Sequence, residues 1–388
     1  MKILIITHEY PPVGGGGANA CRALSGCFAS EGHFVHVVTV RYGDLPYREE
    51  LFSGRLVVTR VNAKRAARDH CSAPEMFDYI KKAHKKAESV LSSEDYDICL
   101  CFFGIPGGVL ARRLKEKYTL PYVIRMGGGD IPGFQKRFRA LYQLVGPELR
   151  RIWRESSALV ANSEGLRKMA EAFCDRYPVQ VIPNGVDTDV YYPSDNKMAG
   201  YKNAKGNRTV QLLTVCRIIE RKGLQDVIPC LNSIESRTGR PVRWTIAGSG
   251  PYRVELEKIA AEYGAADKIV FTGYKEGEEL AQLYRSTDIF VFPSLREGMP
   301  NAVLEAMASG LPIVMRRGCQ GADELIKDNG LLLDGCFTET LTEIINRGET
   351  EWIRMGSISR EIVTDAYTWK HISDRYLTLF DRILAGKK

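Results

Sequence analysis

The sequence lacks the cysteine patterns that bind zinc or form redox centres. Its ten cysteines are scattered along 388 residues, with no CxxC pair and no cluster of cysteine and histidine at metal-ligand spacing. Several stand inside apolar runs, as Cys99 and Cys101 do in ICLCFF, where cysteine behaves as a small hydrophobic residue. A chain of this length buries a sufficient core without disulfides, so we expect free thiols in a reducing, cytoplasmic compartment.

Long apolar runs are also missing. No stretch approaches the roughly 18 residues that a membrane-spanning helix needs. The apolar start of MKILIITHEY ends at His8, Glu9 and Tyr10, where the apolar part of a signal peptide would continue. The sequence therefore predicts neither a membrane span nor a secretory signal.

Acidic residues are outnumbered by basic ones, mainly in the first half. The chain has 54 Lys and Arg against 47 Asp and Glu, a formal net charge of +7, and most of the excess lies in residues 1–190. This distribution favours an acidic partner, such as an anionic membrane, a phosphorylated substrate or nucleic acid. A basic, aromatic segment at 134–154 and a lysine cluster at 81–86 could lie on the inner face of a membrane. A solvated helix face is an equal alternative.

Apolar runs divide the chain into two α/β halves. Runs of four to seven residues alternate with helical stretches, first at 2–7, 34–40, 97–103, 122–126, 158–163 and 179–184, and again at 209–216, 242–248, 268–273, 288–294 and 311–315. This alternation predicts two doubly wound parallel sheets covered by helices, with ligands bound at the carboxyl ends of the strands. A polar segment at 193–208 reads as a linker.

The strongest chemical signal follows the apolar run at 288–294. Gly298 and Pro300 shape a loop that exposes backbone amides, and Asn301 is the expected N-cap of a helix that contains Glu305. A helix start suits a phosphate or a sugar hydroxyl, and a carboxylate at Glu305 can accept two hydrogen bonds from a ribose diol. Taken alone, Glu297 and Glu305 are equally compatible with ordinary surface acids.

Two cations follow the first apolar run of the second half. Arg217 and Lys222 stand in CRIIERKG, where both can reach a diphosphate over the strand ends. Fixed positive charge there would stabilise a leaving diphosphate. Solvated basic side chains are the alternative. The turn AGSGP at 247–251 and Tyr274 are candidates for nucleotide contact, with a tight turn and plain packing as alternatives.

The first half carries a glycine-rich loop that suggests a second interpretation. Gly15, Gly17 and Ala20 satisfy G-x-G-x-x-A, as in NAD-dependent oxidoreductases. The ribose-binding acid expected at the end of the second run is missing, because Arg41 stands there. Asp130, after the glycines of RMGGGD, either contacts a sugar or acceptor hydroxyl or caps a turn.

The block FVFPSLREGMPNAVLEAMASGLPIV resembles the glycosyl transferases group 1 family of retaining GT-B enzymes, whose E-x7-E motif Glu297 and Glu305 match. The resemblance extends over nearly the whole chain, through PP-x-GGGG-A, IPNGVD at 182–187, AGSGP and FTGY at 271–274. It implies two Rossmann-like doubly wound domains, 1–188 and 189–368, that face an interdomain cleft. A C-terminal helix at 369–388 would cross back to the first domain. Many members carry a histidine near the position of Asp130, and this chain does not.

The resemblance implies a retaining, metal-independent glycosyltransferase without cofactor, of the hexosyl or N-acetylhexosaminyl class. Its donor would be a nucleotide-diphosphate sugar, most often a UDP-sugar, and its acceptor a hydroxyl of a glycan or lipid-linked glycan in bacterial cell-surface polysaccharide or other glycoconjugate assembly. No nucleic acid partner is expected. A non-catalytic sugar-nucleotide-binding homologue is an alternative beside the oxidoreductase. Asp187 and Asp189 form a D-x-D pair that we assign to the hinge and not to a metal.

Roles are assigned to fifteen residues on these grounds. Catalytic roles go to Arg217, Lys222, Glu297 and Asp130. Donor-binding roles go to Gly16, Gly17, Gly248, Gly250, Tyr274, Met299, Pro300, Asn301, Ala302, Val303 and Glu305.

Overall fold

A computed structural model describes residues 1–68, 70–134, 139–194, 208–319, 321–333 and 335–386, without the side chains of 139–141. The chain splits into two compact units. Unit 1 comprises 1–184 with 369–388, and unit 2 comprises 185–368. The boundary expected at residue 188 falls just inside unit 2. The linker expected at 193–208 lies almost wholly outside the described residues, as does part of the basic segment at 134–154.

Unit 1 contains one eight-stranded sheet. Its strands are β1 Lys2–Ile6, β2 Phe34–Val40, β3 Arg48–Leu51, β4 Leu56–Val61, β5 Ile98–Phe102, β6 Tyr122–Met126, β7 Ala158–Ala161 and β8 Val179–Val181. Its first five helices are α1 Gly16–Ser30, α2 Ala73–Ser93, α3 Gly108–Tyr118, α4 Arg139–Glu155 and α5 Glu164–Phe173. The strand order is β3-β4-β2-β1-β5-β6-β7-β8, parallel throughout except for the β3–β4 pair.

The central strands of unit 1 are buried on both faces, which explains their continuous apolar runs. Ile3 and Ile5 of β1 belong to the core on one side of the sheet, with Phe28 of α1. Leu4 and Ile6 belong to the core on the other side. Alternate residues of one strand thus hold helices on both faces.

Unit 2 contains a six-stranded sheet. Its strands are β9 Val210–Val215, β10 Val242–Ala247, β11 Ile269–Gly273, β12 Ile289–Phe292, β13 Ile313–Arg316 and β14 Gly330–Leu333. Its helices are α6 Leu231–Thr238, α7 Arg253–Glu262, α8 Gly277–Arg285, α9 Asn301–Ala308, α10 Ala322–Leu325 and α11 Phe337–Ala366, the last interrupted at Gly348. The strand order is β11-β10-β9-β12-β13-β14, and every pair is parallel.

The last helix, α12 Trp369–Ala385, returns to unit 1. Its Tyr376 and Phe380 pack against Phe28 of α1, with ring centroids 6.5 and 5.8 Å from the Phe28 ring. The predicted return of this helix is confirmed. None of the helices in the described ranges is both long and apolar enough to span a bilayer.

Both sheets reverse their strand order beside their first strand. The reversal lies between β1 and β5 in unit 1 and between β9 and β12 in unit 2. Open α/β sheets bind ligands next to such switch points, outside the carboxyl ends of the strands. The glycine-rich loop follows β1 and residues 103–107 follow β5. Arg217 to Lys222 follow β9, and Glu297 follows β12. The topology therefore explains where the candidate residues of each unit lie.

Candidate active site

In unit 2 the loops after β9 and β12 lie side by side. The amide of Leu295 donates to the carbonyl of Arg221 at 3.0 Å, and the Arg221 guanidinium donates to the carbonyl of Arg296 at 3.1 Å. The ammonium of Lys222 forms an ion pair with the Glu297 carboxylate, and both side chains are largely buried. The structure thus joins two of the predicted catalytic residues.

Two further residues hold this ion pair in place. The Ser294 hydroxyl donates to Oε1 of Glu297 at 2.8 Å. The Lys222 ammonium lies 5.5 Å from the centre of the Phe292 ring, within cation–π range. Neither Ser294 nor Phe292 was predicted, because the motif match names the charged residues and not their supports. The Lys222 ammonium is therefore held in place before any ligand binds, largely buried and beside a carboxylate that offsets its charge.

Arg217 is exposed at the beginning of the same loop as Lys222. The turn after β10 supports the loop there: the Ile218 amide donates to the carbonyl of Ser249 at 2.8 Å, and the Tyr252 amide donates to the carbonyl of Ile218 at 3.1 Å. The backbone beside Arg217 is therefore fixed by two hydrogen bonds, and the Arg217 side chain is exposed.

Gly248 and Gly250 are required by this loop contact. A Cβ atom on Gly248 would lie 1.8 Å from the carbonyl oxygen of Cys216, and one on Gly250 would lie 2.1 Å from that of Ile218. Gly248 also has φ +143°, a conformation that favours glycine. The structure favours the tight-turn interpretation, since backbone packing explains both glycines without a ligand.

Glu305 lies in α9, next to a buried tyrosine. The Tyr284 hydroxyl donates to Oε2 of Glu305 at 2.8 Å and lies 3.2 Å from the carbonyl oxygen of Ala302. Burial raises the pKa of Glu305 to about 7, and the hydrogen bond from Tyr284 opposes that rise. Tyr284 comes from α8, 21 residues earlier, so the sequence carried no signal for it.

The start of α9 differs from the prediction in one respect. Asn301 is the first helical residue, and the N-cap is Pro300, whose side chain makes no capping hydrogen bond. The predicted N-cap role of Asn301 is therefore wrong by one residue. Val303 is fully buried and Met299 nearly so. Their side chains belong to the core, so a donor-binding role for Val303 or Met299 would fall to the backbone.

Tyr274 stands apart from this group. It follows β11, the outer strand of the sheet, and its side chain is 60% exposed. Its hydroxyl donates to the Glu276 carboxylate at 2.9 Å. The exposed ring can stack on a nucleotide base.

The glycine-rich loop of unit 1 packs against an aromatic ring. Gly16 is the first residue of α1. A Cβ on Gly17 would lie 2.7 Å from Cζ of Phe103, and one on Gly127 would lie 2.5 Å from Cε1 of the same ring. Phe103 itself follows β5 with φ +75°, an uncommon conformation for a residue other than glycine. The missing side chain of Gly17 thus admits Phe103, which explains this glycine without a bound phosphate.

Asp130 organises backbone in unit 1. Its Oδ1 accepts hydrogen bonds from the amides of Gly127 at 2.9 Å and Gly128 at 3.0 Å, and its Oδ2 accepts one from Gly104 at 2.9 Å. Burial raises its pKa, and these amide hydrogen bonds oppose the rise. Because both oxygens are engaged by the loops after β5 and β6, the structure favours the capping interpretation over a catalytic one.

Asp187 serves its own turn. Its Oδ1 accepts hydrogen bonds from the amides of Asp189 at 3.0 Å and Val190 at 3.2 Å. This is the local pattern of an Asx turn. Backbone geometry at the start of unit 2 thereby explains the Asp187 carboxylate, and the assignment of the pair to the hinge stays a prediction.

Two family models match the chain, one over each unit. The model "Glycosyl transferases group 1" matches residues 200–361, and the model "Glycosyltransferase Family 4" matches 14–190. An uncharacterized glycosyltransferase of Methanocaldococcus jannaschii is 28% identical over 98% of both chains. A GDP-mannose-dependent alpha-(1-6)-phosphatidylinositol monomannoside mannosyltransferase of Mycobacterium tuberculosis is 30% identical over 52% of this chain and 55% of its own length. The second match therefore spans about half of either protein.

Solved structures share the fold along the entire chain. Sucrose-phosphate synthase from Thermosynechococcus elongatus superimposes with a TM-score of 0.81 over 100% of both chains at 19% identity. HepE of Anabaena, in complex with UDP and glucose, superimposes with a TM-score of 0.72 over 98% of this chain and 100% of its own, also at 19% identity. The predicted GT-B fold class is confirmed. With this fold and a family model over each unit, the chain belongs to the glycosyl transferases group 1 family.

Proposed function

We propose that this glycosyltransferase takes a hexosyl or N-acetylhexosaminyl group from a nucleotide-diphosphate sugar and transfers it, with retention, to a hydroxyl of a glycan or lipid-linked glycan. UDP is the favoured nucleotide, and neither a metal nor another cofactor takes part. The main support for this function is the ion pair of Lys222 and Glu297, which lies in the loops after β9 and β12 at the switch point of unit 2. A diphosphate over those strand ends would meet a cation whose position is already fixed.

The chemistry assigns a separate task to each charged residue. Lys222 and the exposed Arg217 bind the leaving diphosphate and stabilise the negative charge that grows on it as the bond to the anomeric carbon breaks. Glu297 positions Lys222 through their ion pair. The acceptor oxygen bonds to the anomeric carbon on the face from which the diphosphate departs, and its proton passes to a phosphate oxygen of that leaving group.

Glu305 would bind the nucleotide. Its carboxylate, held by Tyr284, can accept hydrogen bonds from both hydroxyls of the ribose. The first turn of α9 adds amides at the positive end of the helix dipole, and its N-cap residue, Pro300, makes no side-chain capping hydrogen bond. Tyr274 is the proposed partner of the base, through its exposed ring.

Unit 1 would supply the acceptor side, with Asp130 fixing the loops after β5 and β6. The names of relatives motivate the acceptor class, since they include the phosphatidylinositol mannoside enzyme and a putative colanic acid biosynthesis glycosyltransferase of Escherichia coli. A cytoplasmic site of action, at the inner face of a membrane, fits such acceptors. The excess of basic residues in the first half supports it.

Donor binding and turnover test this proposal. Thermal unfolding is followed with UDP, GDP and NAD, and transfer is then measured from UDP-glucose, UDP-N-acetylglucosamine and GDP-mannose, with NMR of the product's anomeric configuration. We expect UDP to stabilise the chain and the product to keep the donor's configuration. Stabilisation by GDP alone would identify GDP, and not UDP, as the nucleotide of the donor. A product with inverted anomeric configuration would refute retention.

A lysine variant tests the site itself. Lys222→Gln should lower kcat by about a hundredfold or more, because a preorganised cation at the leaving group is removed. The control is Lys258→Gln, a 65% exposed lysine on α7. Equal turnover of the two variants would contradict the role of Lys222, and binding of nucleotide without any turnover by the wild type would identify a non-catalytic homologue.

A further inference from the structure

A pocket of about 540 Å³ lies in unit 1, and none of the residues that line it is among those assigned to donor or acceptor. One wall is the end of α4, with Pro147, Arg150, Arg151 and Arg154, and the other is the segment 173–177 at the end of α5. Its volume is in the range of small-molecule sites. The buried side of α4, with Leu149, Ile152 and Trp153, anchors this wall to the core.

The pocket has an excess of positive charge. Four arginines line it, Arg176 being the fourth, against a single acid, Asp175. Glu155 partly neutralises two of them, because its Oε1 lies 3.0 Å from Arg151 and 3.5 Å from Arg154. In the part of the chain that the structure describes, no carboxylate lies within ion-pair distance of the other two, Arg150 and Arg176. The pocket therefore offers two guanidinium groups whose charge is not neutralised.

Aromatic packing fixes one of these groups before any ligand arrives. The Arg150 guanidinium lies 4.2 Å from the centre of the Phe173 ring. Phe173 in turn meets the buried Trp153 edge to face, with ring centroids 5.3 Å apart. A guanidinium stacked on an anchored ring loses little further freedom when it binds an anion.

We propose that this pocket binds a phosphate ester, carried by a soluble phosphate compound or by an anionic lipid headgroup. The planar fork of a guanidinium pairs with two oxygens of one phosphate group, which suits Arg150 and Arg176 better than a single-point contact would. The lipid source is supported by Leu144, which is 80% exposed on α4, two turns before Arg151. A lipid surface would cover that leucine while the arginines bind its phosphates.

The test uses the full chain with two probes. One probe is glycerol 3-phosphate, measured by calorimetry, and the other is sedimentation with vesicles of phosphatidylcholine and phosphatidylglycerol in equal parts, against phosphatidylcholine alone. The pocket variant is Arg150→Gln with Arg176→Gln. The control, Arg113→Gln with Arg237→Gln, removes the same charge from exposed arginines of α3 and α6. All four side chains are exposed, so both variants should fold, which thermal unfolding verifies.

The pocket variant should bind the phosphatidylglycerol vesicles about thirtyfold more weakly than the wild type, while the control is unchanged. A parallel loss of glycerol 3-phosphate binding would show that the phosphate ester suffices, and binding of vesicles alone would identify the lipid headgroup as the source. The proposal is overturned if the wild type binds neither probe, if the pocket variant binds like the wild type, or if the control loses as much. None of these results depends on donor binding or turnover, so the proposed enzymatic function stands or falls separately.

Discussion

Glu305→Gln should make unit 2 more stable while it removes nucleotide binding. The pKa of Glu305 is raised from 4.5 to about 7, chiefly because burial disfavours its charge. Each pKa unit corresponds to about 1.4 kcal/mol, so the ionised side chain costs the folded state up to about 3 kcal/mol. Glutamine keeps the shape and an oxygen that accepts from Tyr284, but it carries no charge.

The sign of the effect depends on pH. Since the folded-state pKa lies above the unfolded-state value, the folded wild type holds an extra proton between these values, and its stability falls as pH rises through that window. The gain from Glu305→Gln should therefore approach about 3 kcal/mol near pH 8 and nearly vanish near pH 4.5.

Urea unfolding followed by tryptophan fluorescence can measure this difference, because unit 2 contains the buried Trp244 and Trp352. The control is Glu262→Gln, the same change at an exposed position of α7, where no gain is expected. Calorimetry with UDP then tests binding at both pH values. If Glu305→Gln were no more stable than the wild type near pH 8, or if its gain were equal at both pH values, burial would not be the origin of the shift.

Three further substitutions separate contacts that support the site from contacts that bind ligand. Tyr284→Phe keeps the buried ring but loses the hydrogen bond to Glu305, so the affinity for UDP should fall about tenfold in calorimetry with little change in fold. Gly248→Ala should unfold unit 2 at a markedly lower temperature, because its Cβ would overlap a carbonyl oxygen; Gly239→Ala, where nothing lies within 4 Å, should cost only about 1 kcal/mol. Asp130→Asn should destabilise unit 1 by about 1–3 kcal/mol in urea, since its amide nitrogen cannot accept from backbone amides, while the folded variant keeps its transfer rate; a lost transfer rate with unchanged stability would instead favour direct contact with the sugar or the acceptor.

Apolar periodicity predicted most of both sheets. The runs at 34–40 and 122–126 coincide with β2 and β6. These strands lie inside a sheet that helices cover on both faces, so nearly every residue is apolar and the run ends where the strand ends. The enzymatic class was also predictable, because the ordered motifs extend through both units and the family models match them.

The strands β3, β4 and β14 were missed, the last although its sequence GLLL is an apolar run. The other two lack a clear signal. β3, with the sequence REEL, is mostly exposed and pairs with β4 at the edge of the sheet. β4 is buried, yet it contains Arg60, which is tolerated because its guanidinium meets the Glu49 carboxylate at 2.7 Å. The charged residues Arg60 and Glu49 pair with each other across the two strands. The sequence of one strand taken alone cannot show this pairing.

The supports of the candidate site were unpredictable for a similar reason. Lys222 and Glu297 are 75 residues apart, and the family motif named both without showing that they form an ion pair. Ser294 and Tyr284 acquire their roles from tertiary contacts, since a serine or tyrosine near a glutamate is common in any sequence. Motifs identified the charges of the site, whereas the folded structure was needed to show what holds them.

Glycines near a site illustrate how packing and function are linked. From the sequence, Gly17, Gly248 and Gly250 were assigned to donor binding, but the structure fills the space beside each of them with Phe103 or with a carbonyl oxygen. The same glycines nevertheless influence the site. In unit 2, the close packing that Gly248 and Gly250 permit fixes the loop of Arg217 and Lys222. In unit 1, Gly17 allows the ring of Phe103 to pack beside it. Any side chain at Gly248 would push that loop away from β10, so loss of catalysis in such a variant would report a displaced cation and not a blocked ligand.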